Sequence, residues 1–139
     1  MIEMVYVSWI VTLLAIFVLF FFPSTYKAYV AALAVVVNSL VTSWLALPAL
    51  AGQTVELTVF AGSFMGDVAV RIDALSAWFI LIINLTSVTG VFYGIGYLKA
   101  YENTKTKLTL HWSLFILFHL SMVWVCQLQN GFAFLLAWE

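Results

Sequence analysis

Charge is what this sequence most lacks. Asp, Glu, Lys and Arg make up 8% of its 139 residues, against roughly 25% in soluble domains, so a water-facing globular surface is excluded. The five basic residues are scattered and the formal net charge is −1, which leaves no tract for nucleic acid or an acidic polymer. A single cysteine, Cys126, excludes a disulfide framework and any cysteine-rich metal centre within the chain. In its apolar run it reads as a small buried thiol. Glycine-rich phosphate loops and His-x-x-Glu-His spacings are absent as well. No cofactor, metal or nucleic-acid site is expected. With no internal repeat or low-complexity linker, residues 1–139 read as a single membrane domain.

What is present is apolar: 65% of the residues, with a mean hydropathy of +1.13. Four stretches, Val5 to Phe22, Ala28 to Leu50, Ala74 to Leu98 and Leu108 to Leu128, each approach or exceed the roughly 20 residues that span a bilayer. The first has Glu3 and no Lys or Arg before it, and no small-residue cleavage site after it, so it reads as a retained helix and not a signal peptide. A fifth apolar segment starts near Asn130 and runs to Trp138 and Glu139. The fold class expected is therefore an all-α integral membrane protein, with four complete transmembrane helices and the start of a fifth.

The basic residues give that bundle an orientation. Lys27 falls between spans one and two, and Lys99, Lys105 and Lys107 fall between three and four, whereas Arg71 alone lies on the other side. The positive-inside rule then puts the N-terminus outside, the lysine-bearing loops in the cytoplasm and the chain in the cell's inner (cytoplasmic) membrane. Span five runs inward, and at 1.5 Å per residue Glu139 lies roughly 12 Å deep, near the middle of a core about 30 Å thick. A carboxylate there is costly by a few kcal/mol on insertion scales, and is therefore rare without a role, which makes Glu139 a candidate functional residue. A chain terminus at that depth leaves carbonyls unsatisfied, so the sequence reads as the front part of a longer protein.

Between spans two and three the period changes. Val55, Leu57 and Val59 alternate with Glu56 and Thr58, and Val68, Val70 and Ile72 alternate with Ala69 and Arg71. Two period-2 runs around Ala61 to Asp67 predict an extracytoplasmic β-hairpin over Thr54 to Ile72. Two strands alone are marginal in water, so the hairpin should rest on helix ends or pair with another subunit. Asp73 is placed to cap span three.

Polar residues within the spans admit two roles. His119, mid-way along span four, relays protons or hydrogen-bonds a neighbouring helix, the latter being the plainer role. Asn38, Ser39, Thr42 and Ser43 in span two, and Asn84, Thr86, Ser87 and Thr89 in span three, line a hydrated path or act as interhelical glue. Gly94 and Gly96 suggest close helix packing. His111 beside Trp112 reads as interfacial, and Tyr6, Trp9, Tyr26, Tyr29, Tyr93, Tyr97 and Tyr101 as an aromatic belt.

Three of these segments, Arg71-Ile-Asp-Ala-Leu-Ser-Ala-Trp-Phe79, Tyr93-Gly-Ile-Gly-Tyr-Leu98 and Asn130-Gly-Phe-Ala-Phe-Leu-Leu-Ala-Trp-Glu139, resemble the N-terminal part of the antiporter-like membrane subunits. That family includes proton-pumping subunits of respiratory complex I (NADH:quinone oxidoreductase), Mrp-type Na+/H+ antiporter subunits and the large membrane subunit of hydrogenase-4 and formate hydrogenlyase. The likeness covers Val68 to Glu139, and the earlier segments only in layout. It implies that Glu139 takes part in ion translocation, that the outer hairpin contacts neighbouring subunits, and that the chain works in a multi-subunit oxidoreductase complex with no redox site of its own. It also implies a longer protein of about fourteen spans, whose seventh carries a lysine that pairs with this glutamate. A lysine moving away lets Glu139 take up a proton, and its return expels it. Two alternatives keep the same spans: an Mrp-type antiporter subunit independent of redox chemistry, and a non-transporting scaffold or assembly subunit.

Overall fold

In the computed structural model the backbone is described for residues 2–62, 66–101 and 105–139, and side chains for 5–59, 66–100 and 106–139. The side chains of Glu3, Tyr101 and Lys105, and residues 63–65 between the two strands, lie outside these described residues. Five helices and one hairpin follow in the order α1 (Ile2–Phe21), α2 (Ser24–Leu50), β1 (Val55–Gly62), β2 (Gly66–Ile72), α3 (Ala74–Tyr97), α4 (Lys105–Val125) and α5 (Gly131–Trp138), with a 3-10 turn at Leu98–Tyr101.

Among the described residues three helices are long and apolar enough to cross a membrane: Ser24–Leu50, Ala74–Ala100 and Thr106–Val125. The part of α1 whose side chains are described, Val5–Phe21, is apolar but shorter. Outward faces carry large apolar groups such as Leu13, Phe17, Leu33, Trp44, Leu85, Leu114 and Phe118. So extensive an apolar exterior fits lipid and not water.

Helix ends depart from the expected boundaries in one informative way. Lys27, expected in a loop, lies inside the first turn of α2, fully buried, and its Nζ donates to Thr109 Oγ1 on α4. Lys105 likewise belongs to α4 and not to the loop before it. At its other end α2 closes on Gly52, whose φ of +88° is open to glycine and strained for other residues. There the Gly52 N–H bonds Ala49 O and the Gln53 N–H bonds Pro48 O, both at 3.1 Å. This crossed pair is a Schellman cap, satisfying two carbonyls that the helix end would otherwise orphan.

The hairpin forms as its alternation predicts. β1 and β2 are antiparallel, Val55 opposite Ile72 and Leu57 opposite Val70, with a bulge between Thr58 and Phe60. Val55, Val68, Val70 and Ile72 are buried while Glu56, Thr58 and Arg71 are exposed, so one face rests on the helix ends. Glu56 and Arg71 pair across the outer face at 3.5 Å, a contact worth about 1 kcal/mol at most at such exposure. The far edge of β2 is not left open. The Arg71 N–H bonds Gln127 O at 2.8 Å and the Gln129 N–H bonds Ala69 O at 3.0 Å, which sets the α4–α5 connector against β2 as an isolated antiparallel bridge, Leu128 opposite Val70.

Asp73 caps α3, its Oδ1 accepting the Ser76 N–H at 2.9 Å. Asn130 caps α5 by accepting from the Phe132 and Ala133 N–H groups, and its Nδ2 reaches Asp67 O at 3.3 Å. Hairpin, α3 start, α4 end and α5 start are thus gathered at one end of the bundle, with Tyr6 of α1 donating to Val59 O.

The core divides into two apolar clusters. One, at the hairpin end, gathers Val5, Leu45, Ala46, Ile80, Leu120 and Val123 with Val55, Val70 and Ile72. The other holds Ala15, Leu19, Ala31, Val35, Val91, Trp112 and Ile116. α2 is alanine-rich where it is buried, and the small side chains let neighbouring helices approach closely. Gly94 serves the same end, since a Cβ there would meet Trp112 Cη2 at 2.8 Å. Gly96 has nothing within 4 Å and plays no such part.

Candidate functional site

On each of the first four helices the residues of the two apolar clusters are separated by polar ones: Thr12 on α1, Asn38, Ser39 and Thr42 on α2, Asn84 on α3 and His119 on α4. All are buried. They form a polar belt across the middle of the bundle, at the level where a polar side chain is most expensive in lipid and is best held by a partner.

The belt is hydrogen-bonded from helix to helix. Asn38 Nδ2 donates to Thr12 Oγ1 at 2.8 Å, joining α2 to α1. Asn84 is the hub on the other side: its Nδ2 donates to Ser39 O at 3.2 Å, to Thr42 Oγ1 at 2.9 Å and to Ser43 Oγ at 2.8 Å. Its Oδ1 lies 3.0 Å from His119 Nε2, and Ser39 Oγ lies 3.5 Å from the same nitrogen. Thr42 returns its own hydroxyl hydrogen to Asn38 O at 2.8 Å. Three buried polar atoms, Asn38 Oδ1, Ser113 Oγ and His119 Nδ1, have no hydrogen-bond partner among the described residues.

α4 turns His119 inward because its buried residues recur at helical spacing, Leu108, Trp112, Ile116, His119 and Leu120, then Val123. The opposite stripe, Leu114, Leu117 and Phe118, faces outward. That stripe forms one wall of an open groove of about 670 Å3, whose other walls come from Trp9 of α1 and from Leu136, Trp138 and Glu139 at the end of α5. Glu139 is exposed, and its N–H bonds Leu135 O at 3.1 Å. The two residues expected to handle ions are therefore apart: His119 of α4 lies in the belt, and Glu139 at the end of α5 lines the outer groove on the other side of α4.

Of the polar residues flagged along spans two and three, the structure brings Asn38, Ser39, Thr42, Ser43 and Asn84 together. Ser87 is buried outside that set. Thr86 and Thr89 are exposed and return their hydroxyls to carbonyls of their own helix. His111 is exposed and stands edge-on to Trp112. Cys126 is a half-buried free thiol. The aromatic residues Tyr6, Trp9, Tyr26, Tyr29, Tyr93 and Tyr97 are exposed, as a belt requires. Thr12 and the Lys27–Thr109 contact escaped the sequence pattern. A single hydroxyl or ammonium in an apolar run carries no sign of what it will face, although the regular offset from Thr12 to Asn38 across a two-helix hairpin hints at a shared level. No group of three or more His, Cys, Asp or Glu capable of holding a metal ion occurs among the described residues.

Comparison with known proteins supplies no relative, since no protein-family model and no curated protein matches the chain.

Proposed function

We propose that this chain belongs to a proton- or cation-translocating membrane subunit of a redox-driven complex, of the hydrogenase-4 or NADH:quinone oxidoreductase type. The observation that carries the reading is the polar belt. An imidazole and five hydroxyl and amide side chains held between two apolar clusters cost more in lipid than packing alone requires, and such groups inside membrane segments commonly serve ion or proton paths. The Trp138-Glu139 pair adds the second support, through its resemblance to the antiporter-like subunits.

In this reading the hairpin lies outside the membrane, the chain crosses it four times before α5, and the ends bearing Lys27, Lys99 and Lys107 face the cytoplasm. Glu139 loads and releases a proton as a lysine of a further helix approaches and withdraws. Its exposed position on the groove leaves it open to such a cation. His119 relays protons inside the bundle, and other membrane subunits supply the redox work that moves the lysine.

The assembled complex in sealed vesicles tests this with a pH-sensitive dye. Glu139→Gln is expected to abolish electron-donor-dependent proton movement while leaving assembly intact. Unchanged proton movement would favour the scaffold reading, and movement without any electron donor would favour the Mrp-type antiporter. One observation speaks for the scaffold: Asn84 is fully engaged by three acceptors and His119, as an interhelical fastener would be.

A further inference from the structure

We propose that Asn84 is a positioning residue that holds neutral His119 in its Nε2–H tautomer, and so makes Nδ1 the proton-accepting atom at the centre of the bundle. The inference begins with the orientation of the Asn84 amide. Ser39 O, 3.2 Å from the amide, is a carbonyl and can only accept. Thr42 Oγ1, 2.9 Å away, has one hydrogen, and that hydrogen goes to Asn38 O at 2.8 Å. Both neighbours therefore demand the NH2 group, and the carbonyl Oδ1 is left to face α4.

His119 Nε2 stands 3.0 Å from that oxygen. Two lone pairs at such a distance repel, so Nε2 carries the hydrogen and donates it to Asn84. A neutral imidazole has only one ring hydrogen, so Nδ1 is the bare acceptor. Nδ1 has no hydrogen-bond partner among the described residues, and His119 is 1% exposed. The ring is consequently one-sided, always donating at Nε2 and accepting only at Nδ1. Transfer of a proton from hydronium to Nδ1 forms an Nδ1–H bond, leaves water behind and gives an imidazolium that still donates to Asn84. The use of this site in transport rests on the function proposed above, whereas the tautomer stands on the hydrogen bonds alone.

Imidazole nitrogen NMR on the full chain, 15N-labelled at histidine and reconstituted in lipid at neutral pH, reads the tautomer directly. His111→Gln, at an exposed position, assigns the two histidines. Nε2–H is expected to exceed Nδ1–H by about tenfold or more, the factor for a hydrogen bond of about 1.4 kcal/mol. Asn84→Leu should lower that ratio by at least about threefold, toward the modest Nε2–H preference of a free histidine ring, and Asn84→Asp, which keeps an acceptor facing Nε2, should restore it. An Nδ1–H or evenly mixed ring in the unaltered protein overturns the proposal with no variant needed. So does an Asn84→Leu protein that folds and keeps the full Nε2–H to Nδ1–H ratio of the unaltered protein. If instead the tautomer is as expected but His119→Gln leaves proton movement by the complex unchanged, the transport reading fails and the positioning role survives.

Discussion

Replacing Asn84 by leucine, which is similar in size and wholly apolar, removes the hub of the belt. Three hydrogen bonds go with it: the two amide hydrogens, shared among Ser39 O, Thr42 Oγ1 and Ser43 Oγ, and the one accepted from His119. Side-chain hydrogen bonds between membrane helices average about 0.6 kcal/mol, so the three together come to about 1.8 kcal/mol. The substitution also strands the His119 Nε2–H at a site 1% exposed, where an unsatisfied donor costs a further ~1–3 kcal/mol. A loss of about 3–5 kcal/mol is expected, measured by steric trapping in bicelles or by reversible unfolding in mixed micelles. The second part of that cost is recoverable. Removing the stranded donor as well, in Asn84→Leu/His119→Leu, should make the double variant more stable than Asn84→Leu alone, with a coupling of about 1–2 kcal/mol in the double-mutant cycle. Asn84→Leu within about 0.5 kcal/mol of the unaltered protein, or strict additivity in the cycle, would refute the reasoning.

Two further expectations follow from local geometry. Gly94→Ala drives a methyl into Trp112 and should destabilise by about 1–3 kcal/mol, while Gly96→Ala, with open space around it, should be neutral or gain up to about 1 kcal/mol of helix propensity; equal effects in the same unfolding assay would show that the Trp112 contact is not limiting. At Asp73 the Ser76 N–H, then the Ser76 hydroxyl, and more weakly Arg71, hold the carboxyl below its ordinary range. Its folded value is thus depressed, so the cap's contribution is complete above the unfolded value of about 3.9 and is lost as pH falls through the folded one. Amide exchange at Leu75 to Ala77 should accelerate over that acid window relative to the rest of α3, and Asp73→Asn should remove the pH dependence; an acid response unchanged in that variant would place its origin elsewhere.

How much of this was legible beforehand depended on the kind of signal. Long apolar runs and strict alternation are periodic over many residues, so the helices and both strands could be read, as could the Asp73 cap just ahead of α3. The inward face of each helix could not, because lipid-facing residues are as apolar as buried ones and no polar stripe marks the outside. Asn84 and Thr86 look alike in sequence, yet one is the hub of the belt and the other is exposed and bonds its own helix. Lys27 read as a loop charge because ammonium groups favour water, and the Thr109 hydroxyl that receives it lies 82 residues further on. The bridge at Leu128 involves too few residues to show any alternation.

That bridge has a mechanical meaning. Through Arg71, Ala69 and Asp67 the hairpin is stitched to Gln127, Gln129 and Asn130, which is to say to the root of α5. The strands and the first turn of α5 are therefore tied by direct hydrogen bonds, so a displacement of the hairpin pulls first on Gln127, Gln129 and Asn130, and only through them on the helix that leads to Glu139.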